Sequence, residues 1–247
     1  MQITRKLLVK TTLKKGEDET PNKIESILGI LFGFGYLTIF TIIPFIILIN
    51  LEFPEMIAAS LAQILAALFA IIMMAIISRR TLKRVIKGFS FDSLVKGLTY
   101  AGIMYLISII YGLISLYIFR NDIVNTNQQE LIKIAQESPL IFFTLAVIVA
   151  PLIEELIFRY YIYKPLEKKG FILATLLSTF LFSIVHLIPS LTTGTFLQDI
   201  VTLPAYLLPS VVFAIAYYKT NKLAVPIFAH LAFNLVSAIV ILFPLAI

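Results

Sequence analysis

The sequence predicts an all-α membrane protein, a polytopic bundle of about seven transmembrane helices with a polar cavity inside it. Three observations lead there. Apolar residues make up 60% of the 247 positions and charged residues 14%, against about 45–50% and about 25% in an average soluble domain. A soluble fold of this length has too little interior to hide that hydrocarbon, so the excess faces lipid. The apolar residues fall in unbroken runs of spanning length, and the basic residues gather at alternate ends of those runs.

The first run is Ile27 to Ile49, the second Met56 to Ile77 and the third about Gly97 to Phe119. The fourth, Pro139 to about Tyr163, contains Glu154, Glu155 and Arg159, with Pro151 placed to kink it. The fifth is about Phe171 to Pro189 with His186 inside, and the sixth about Leu203 to Tyr218. The seventh is about Leu223 to Phe243, with His230 and Asn234 inside. The stretch Gly194 to Thr202 lengthens the sixth span if it is helical. Tyr160, Tyr161 and Tyr163 read as an interfacial aromatic belt. Residues 1–26 form a polar arm and 27–138 the N-terminal membrane helices. Residues 139–247 form the part that holds the polar groups. The arm does not read as a cleavable signal, because its polar stretch is long and the run that follows is a full span without a small-residue cleavage site.

Orientation follows from counting. Arg5, Lys6, Lys10, Lys14, Lys15 and Lys23 precede the first span. Arg79, Arg80, Lys83, Arg84, Lys87 and Lys96 lie between the second and third. Lys164, Lys168 and Lys169 follow the fourth, and Lys219 and Lys222 follow the sixth. The intervening loops hold only Arg120 and Lys133. Alternate loops therefore carry 17 and 2 basic residues, which places the N-terminus in the cytoplasm. The net charge of +6 reads as topology and contact with anionic lipid, with no nucleic acid partner. Cysteine is absent, so disulfides, thiolate metal sites and cysteine nucleophiles are excluded.

Charges inside a span cost at least about 2.5–3.5 kcal/mol each. Glu155 and Arg159, four residues apart, share a helix face and lower each other's cost. The plain reading of that pair is a folding clamp. Glu154, about 100° around the helix, is left over, and a third ionisable group is extra cost unless it works. Both histidines of the chain also lie in spans. His186 ends the run Phe182-Ser183-Ile184-Val185-His186, and His230 stands one turn before Asn234. A lone membrane histidine reads first as an interhelical hydrogen bond. Two histidines with two glutamates read as chemistry. Imidazoles and a carboxylate ligate a metal or polarise a water. Asn234 and one histidine can donate to a developing oxyanion. Those are the parts needed to hydrolyse an amide.

The residues resemble the CPBP intramembrane proteases (CAAX proteases and bacteriocin-processing enzymes, also called the Abi family). Glu154 to Arg159 matches EExxxR, Phe182 to His186 matches FxxxH, and His230 to Asn234 matches HxxxN. The resemblance covers about residues 139–243, while the first three spans match only in being hydrophobic. It implies that Glu154 activates the attacking water with help from His186. Glu155 and Arg159 would support and orient the site, and His230 and Asn234 would complete it as ligand or oxyanion donors. The family is commonly regarded as metalloproteases, and a metal-free glutamate mechanism has also been proposed for it. A divalent metal, zinc for preference, would be held by Glu154, His186 and His230. Tyr160 stands where family members often have Gly, which bears on substrate shape.

The implied activity is peptide-bond hydrolysis in membrane-associated peptides or proteins, with CAAX-type substrates, bacteriocin precursors and signalling peptides as candidates. The alternative on the same fold is a non-proteolytic membrane regulator or immunity protein. The implied location is the cell membrane of a bacterium or archaeon. The cavity is expected between spans four, five and seven, open toward the cytoplasmic half. One tension is built into these boundaries. Glu154 lies nine residues from the end of span four, about 14 Å, and His186 fifteen residues into span five, about 22 Å. A common site therefore requires span five to begin below the membrane surface, to tilt strongly or to start later than its apolar run; the expectation is that the helix begins in the cytosol. Reporter fusions should place residue 1 in the cytoplasm and residue 247 outside; a cytoplasmic C-terminus would mean an even number of spans.

Overall fold

The structure, a computed structural model, describes residues 20–119 and 125–243. The arm up to residue 19, Arg120 and the C-terminal residue 247 lie outside the described residues. Among the described residues every regular element is helical. Five helices are long and apolar enough to cross a bilayer, and a sixth apolar helix is shorter.

Helix α1 (Lys23–Thr38) starts four residues before the first apolar run because a capping box sets its origin. The Asn22 side chain accepts from Glu25 N, and the Glu25 carboxylate accepts from Asn22 N, each at 2.9 Å. The expected first span then breaks. Ile39 and Phe40 both donate to the Gly35 carbonyl at 2.8 Å, which closes α1, and the chain resumes as α2 (Ile42–Asn50). Helix α3 (Glu55–Ile77) buries a face of small residues that includes Ala58, Ala62, Ala66 and Ala70. Small residues let neighbouring backbones approach closely where lipid competes for every apolar contact. The basic α4 (Arg79–Lys87) and the long α5 (Phe91–Phe119) follow.

The expected loop 120–138 contains a helix, α6 (Thr126–Glu137), capped by Asn125, whose side chain accepts from Gln128 N at 2.9 Å. Helix α7 (Pro139–Lys169) is the centre of the bundle. It carries two π-helical segments, Thr144–Val149 and Glu155–Tyr163, on either side of Pro151. Wide turns of this kind free backbone carbonyls, and Phe158 O is satisfied by Ser178 Oγ at 2.7 Å. Helix α7 runs six residues past Tyr163 and stops at Gly170, whose φ of +131° lies in the region that favours glycine. Then come α8 (Phe171–Val185), the short α9 (Ile188–Thr193), α10 (Phe196–Thr220) and α11 (Ala224–Leu242). Helix α10 takes in most of the ambiguous stretch before Leu203 and so lengthens the sixth span.

The tyrosines of α7 form no interfacial belt. Tyr160, Tyr161 and Tyr163 are buried, because α1, α3, α8, α10 and α11 all pack on α7 and leave its π segment no lipid face. Tyr161 OH hydrogen-bonds Ser78 Oγ at 2.8 Å, and Tyr160 OH pairs with Thr81 Oγ1. The Tyr160 side chain is thereby directed toward α4. Two α1 glycines make room for this packing. A Cβ at Gly29 would collide with the Tyr161 ring, and one at Gly33 with Ile157 Cγ1. Gly33→Ala should therefore lower the melting temperature of detergent-purified protein, by about 1–3 kcal/mol of overpacking. Adding Ile157→Ala should recover part of the loss. Additive effects of the two changes would show that the close approach is not the cause.

Candidate active site

Helices α7 and α8 form an antiparallel hairpin turning at Gly170, and Glu154 and His186 each lie sixteen residues from that glycine. This symmetry removes the tension in the sequence-derived boundaries. Helix α7 is longer than its apolar run, so the two residues reach the same level. His186 Nε2 stands 4.0 Å from Glu154 Oε1. From α11, His230 Nε2 stands 3.7 Å from Glu154 Oε2. The carboxylate of Glu154 thus faces both imidazoles of the chain.

Each ring is anchored through its other nitrogen. His186 Nδ1 lies 2.8 Å from the Phe182 carbonyl, which can only accept, so Nδ1 carries a proton. The FxxxH spacing is the i,i+4 geometry that allows this bond. The His186 ring stacks on Tyr206, with centroids 4.4 Å apart. His230 Nδ1 bonds Glu155 Oε1 at 3.0 Å, and its ring stacks on Phe213 at 4.4 Å.

Glu155 and Arg159 have side chains with no exposed surface, and Arg159 Nε lies 3.3 Å from Glu155 Oε2. Arg159 Nη2 donates to Ser210 O at 3.0 Å and to Ser210 Oγ at 2.8 Å. The guanidinium lies over Phe182 at 4.8 Å and Phe213 at 5.2 Å from the ring centroids. Asn234 donates its Nδ2 to the Ala146 carbonyl at 2.8 Å, tying α11 to the first π segment, and one amide hydrogen remains. All six residues singled out in the sequence therefore converge. Glu155 and Arg159 act behind the site, while Glu154, His186, His230 and Asn234 face a cavity of about 410 Å³.

That cavity differs from the expected one in walls and direction. Besides α7, α8 and α11, it is lined by Tyr206, Pro209 and Phe213 of α10, Asn127 and Glu130 of α6, and Gln63 of α3. On α7 the lining runs from Phe142 to Glu154, and on α11 from His230 to Ile241. Nothing from the Gly170 end lines it. The cavity runs away from the 164–170 turn, the end of the bundle toward which the motif positions were expected to open it. The tyrosine cluster fills the other side. At the far end, burial pushes the Glu130 carboxyl up, with Lys133 pulling it back in part. Sequence reasoning missed Ser210, Phe213, Tyr206 and α6. Only α6 left a signal, the cap residue Asn125 three positions before Gln128.

The donor set fits a divalent ion in kind: two imidazole Nε2 atoms and a carboxylate, with both Nδ1 atoms engaged as is usual for ligating histidines. The spacing is wider than a ligand set. As the side chains stand, no group of three or more His, Cys, Asp or Glu among the described residues is close enough together to hold a metal ion.

A carboxylate, two imidazoles and an amide thus gather around a cavity within a bundle of apolar helices. The family described as "Type II CAAX prenyl endopeptidase Rce1-like" matches residues 136–236. The chain is 30% identical over 182 residues to the "Putative membrane peptidase YdiL" of Bacillus subtilis (strain 168), covering 72% of this chain and 70% of that protein. It is 34% identical over 124 residues to the "Membrane-embedded CAAX protease MroQ" of Staphylococcus aureus (strain USA300), covering 47% of this chain and 45% of that protein. No solved structure matches the chain. The chain belongs to the CPBP family of CAAX-type membrane proteases, and it is an integral membrane peptidase.

Arg159→Ala strands Glu155 in a low-dielectric interior and should cost about 3–5 kcal/mol, seen as a large fall in melting temperature together with lost activity. Ser210→Ala leaves the backbone carbonyl to accept and should cost only about 0.5–1.5 kcal/mol. Equal losses in the two variants would contradict the clamp.

Proposed function

We propose that this peptidase cleaves membrane-associated peptides by a water that Glu154 activates as general base. The observation that supports it is the division between adjacent carboxylates. Glu155 is spent on Arg159 and His230, whereas Glu154 faces the cavity with an imidazole Nε2 on either side. Glu154 takes a proton from the water while the water oxygen attacks the scissile carbonyl carbon. The developing oxyanion is met by the free amide hydrogen of Asn234, while His230 is held beside it by its Nδ1–H on Glu155. The proton held by Glu154 passes to the leaving nitrogen as the C–N bond breaks, giving a carboxylic acid and an amine, and the acid's proton then passes to the amine to leave a carboxylate and an ammonium. His186, fixed by the Phe182 carbonyl and Tyr206, orients the water from the other side.

A second reading is favoured by one specific observation. With neutral rings, both Nε2 atoms are bare and aimed at Glu154, the donors a divalent cation takes. Glu154, His186 and His230 would hold it, and it would supply a Lewis acid that lowers the pKa of a bound water. The substrate class we propose is a membrane-associated peptide or small protein, as the CAAX protease names of the family and of MroQ suggest.

Glu154→Gln should abolish cleavage of candidate membrane peptides, read by mass spectrometry, with expression and melting temperature unchanged. Near-normal turnover would defeat the assigned role. Elemental analysis of active, detergent-purified protein separates the two readings. Full activity without a bound transition metal supports the glutamate route. About one zinc per chain, lost with activity on chelation and absent in His186→Ala, supports the metal.

A further inference from the structure

We propose that the cavity is entered from the extracytoplasmic side, so that the substrate is a membrane-associated peptide segment presented after export. Two independent observations carry this. The first is the one-sidedness of the cavity. Its walls come from Asn127 and Glu130 of α6, Ile188 and Pro189 at the start of α9, and the C-terminal half of α11 out to Ile241. All of these lie at the end of the bundle away from Gly170.

The second is the distribution of basic residues. The connections at the Gly170 end are 78–96, 164–170 and 219–222, and with residues 1–26 they hold 17 Lys and Arg. The connections at the cavity end are 50–55, 120–138 and 190–202, and they hold Arg120 and Lys133 alone. The excess of Lys and Arg in short loops sets orientation, so the poor end, where the cavity lies, faces outward. The cytoplasmic end is also filled, by Tyr160, Tyr161 and Tyr163 and by the buried Lys164, which pairs with Glu167 at 2.7 Å.

Side and chemistry are separable. The side of entry follows from walls and charges whether or not a bond is cut, and only the word substrate rests on the proposed hydrolysis. The largely apolar walls, such as Phe142, Val185 and Ile241, suit the lipid-immersed part of a peptide. A translocation step must supply that peptide before this protein acts on it.

The absence of cysteine makes the parent chain silent to thiol reagents. Three single replacements in the full chain test the proposal with a membrane-impermeant maleimide on intact cells. Ser237→Cys reports the cavity wall, Gln128→Cys the exposed face of α6, and Lys168→Cys the opposite end. Labelling of Ser237→Cys and Gln128→Cys in intact cells, with Lys168→Cys labelled only after permeabilisation, is the expected result. Labelling of Lys168→Cys alone in intact cells would overturn it, as would labelling of both ends. Labelling of Gln128→Cys without Ser237→Cys would show a cavity sealed from the outside and would equally overturn it. None of these outcomes depends on activity, so a peptidase that proves inactive leaves the test intact.

Discussion

The bundle is arranged around one buried ion pair, Glu155 with Arg159. Left alone, each charge would cost several kcal/mol in such an interior. Four helices share the task of satisfying them. Helix α7 supplies the pair itself, α11 the His230 proton, α10 the Ser210 carbonyl and hydroxyl, and α8 the Phe182 ring under the guanidinium. Apolar contacts between membrane helices are matched by contacts with lipid tails, so they discriminate poorly among packings. A pair that demands one partner from each neighbour does discriminate. The clamp therefore sets the relative placement of α8, α10 and α11, and the same placement brings His186 and His230 to Glu154.

The wide turns of α7 extend this logic. The second π segment begins at Glu155, and its looser winding leaves carbonyls that other side chains satisfy. Ser178 bonds Phe158 O, and Asn234 bonds Ala146 O in the first segment. Pro151, which has no N–H to give, stands between the two segments. Adjacent glutamates are thus held in opposite roles, one consumed by the clamp and one free at the cavity. Asn234 gains two duties from a single amide, a latch through one hydrogen and a remaining donor at the site.

The membership of the polar cluster was legible in the sequence because ionisable groups in lipid are costly and therefore few. Glu154, Glu155, Arg159, His186, His230 and Asn234 all stand out against an apolar background, and all six converge. Depth was not legible. Hydropathy reports where a chain leaves hydrocarbon, not where a helix stops, so Tyr163 marked an end that the backbone passes by six residues. The direction of the cavity was misread with it. Ser210 left no mark, since one serine in an apolar helix is ordinary. The tyrosines misled for a related reason: an aromatic cluster at the end of a run means an interface only if its helix has a lipid face, and α7 has none there. The break between α1 and α2 turns on two amides sharing the Gly35 carbonyl, a local geometry that hydropathy does not register.

The family match begins only at residue 136, yet the helices before it determine how the bundle is filled beside the site. Gly29 and Gly33 bring α1 against the π segment, and Ser78 and Thr81 fix the hydroxyls of Tyr161 and Tyr160. Two large rings are thereby packed between the site and the basic end, where no wall of the cavity is found. At the other end α6, a short polar helix, supplies part of the cavity wall. Its N-terminus is fastened by Thr126 N to Asp199 at 3.0 Å and by the Asn125 amide to Thr202 at 3.0 Å and Tyr206 at 2.9 Å. Packed tyrosines leave no room, whereas the helix fastened at its N-terminus borders the cavity through Asn127 and Glu130. The direction in which the cavity runs is therefore decided by the residues that fill the bundle on either side of Glu154, and Glu154 itself would look the same from both.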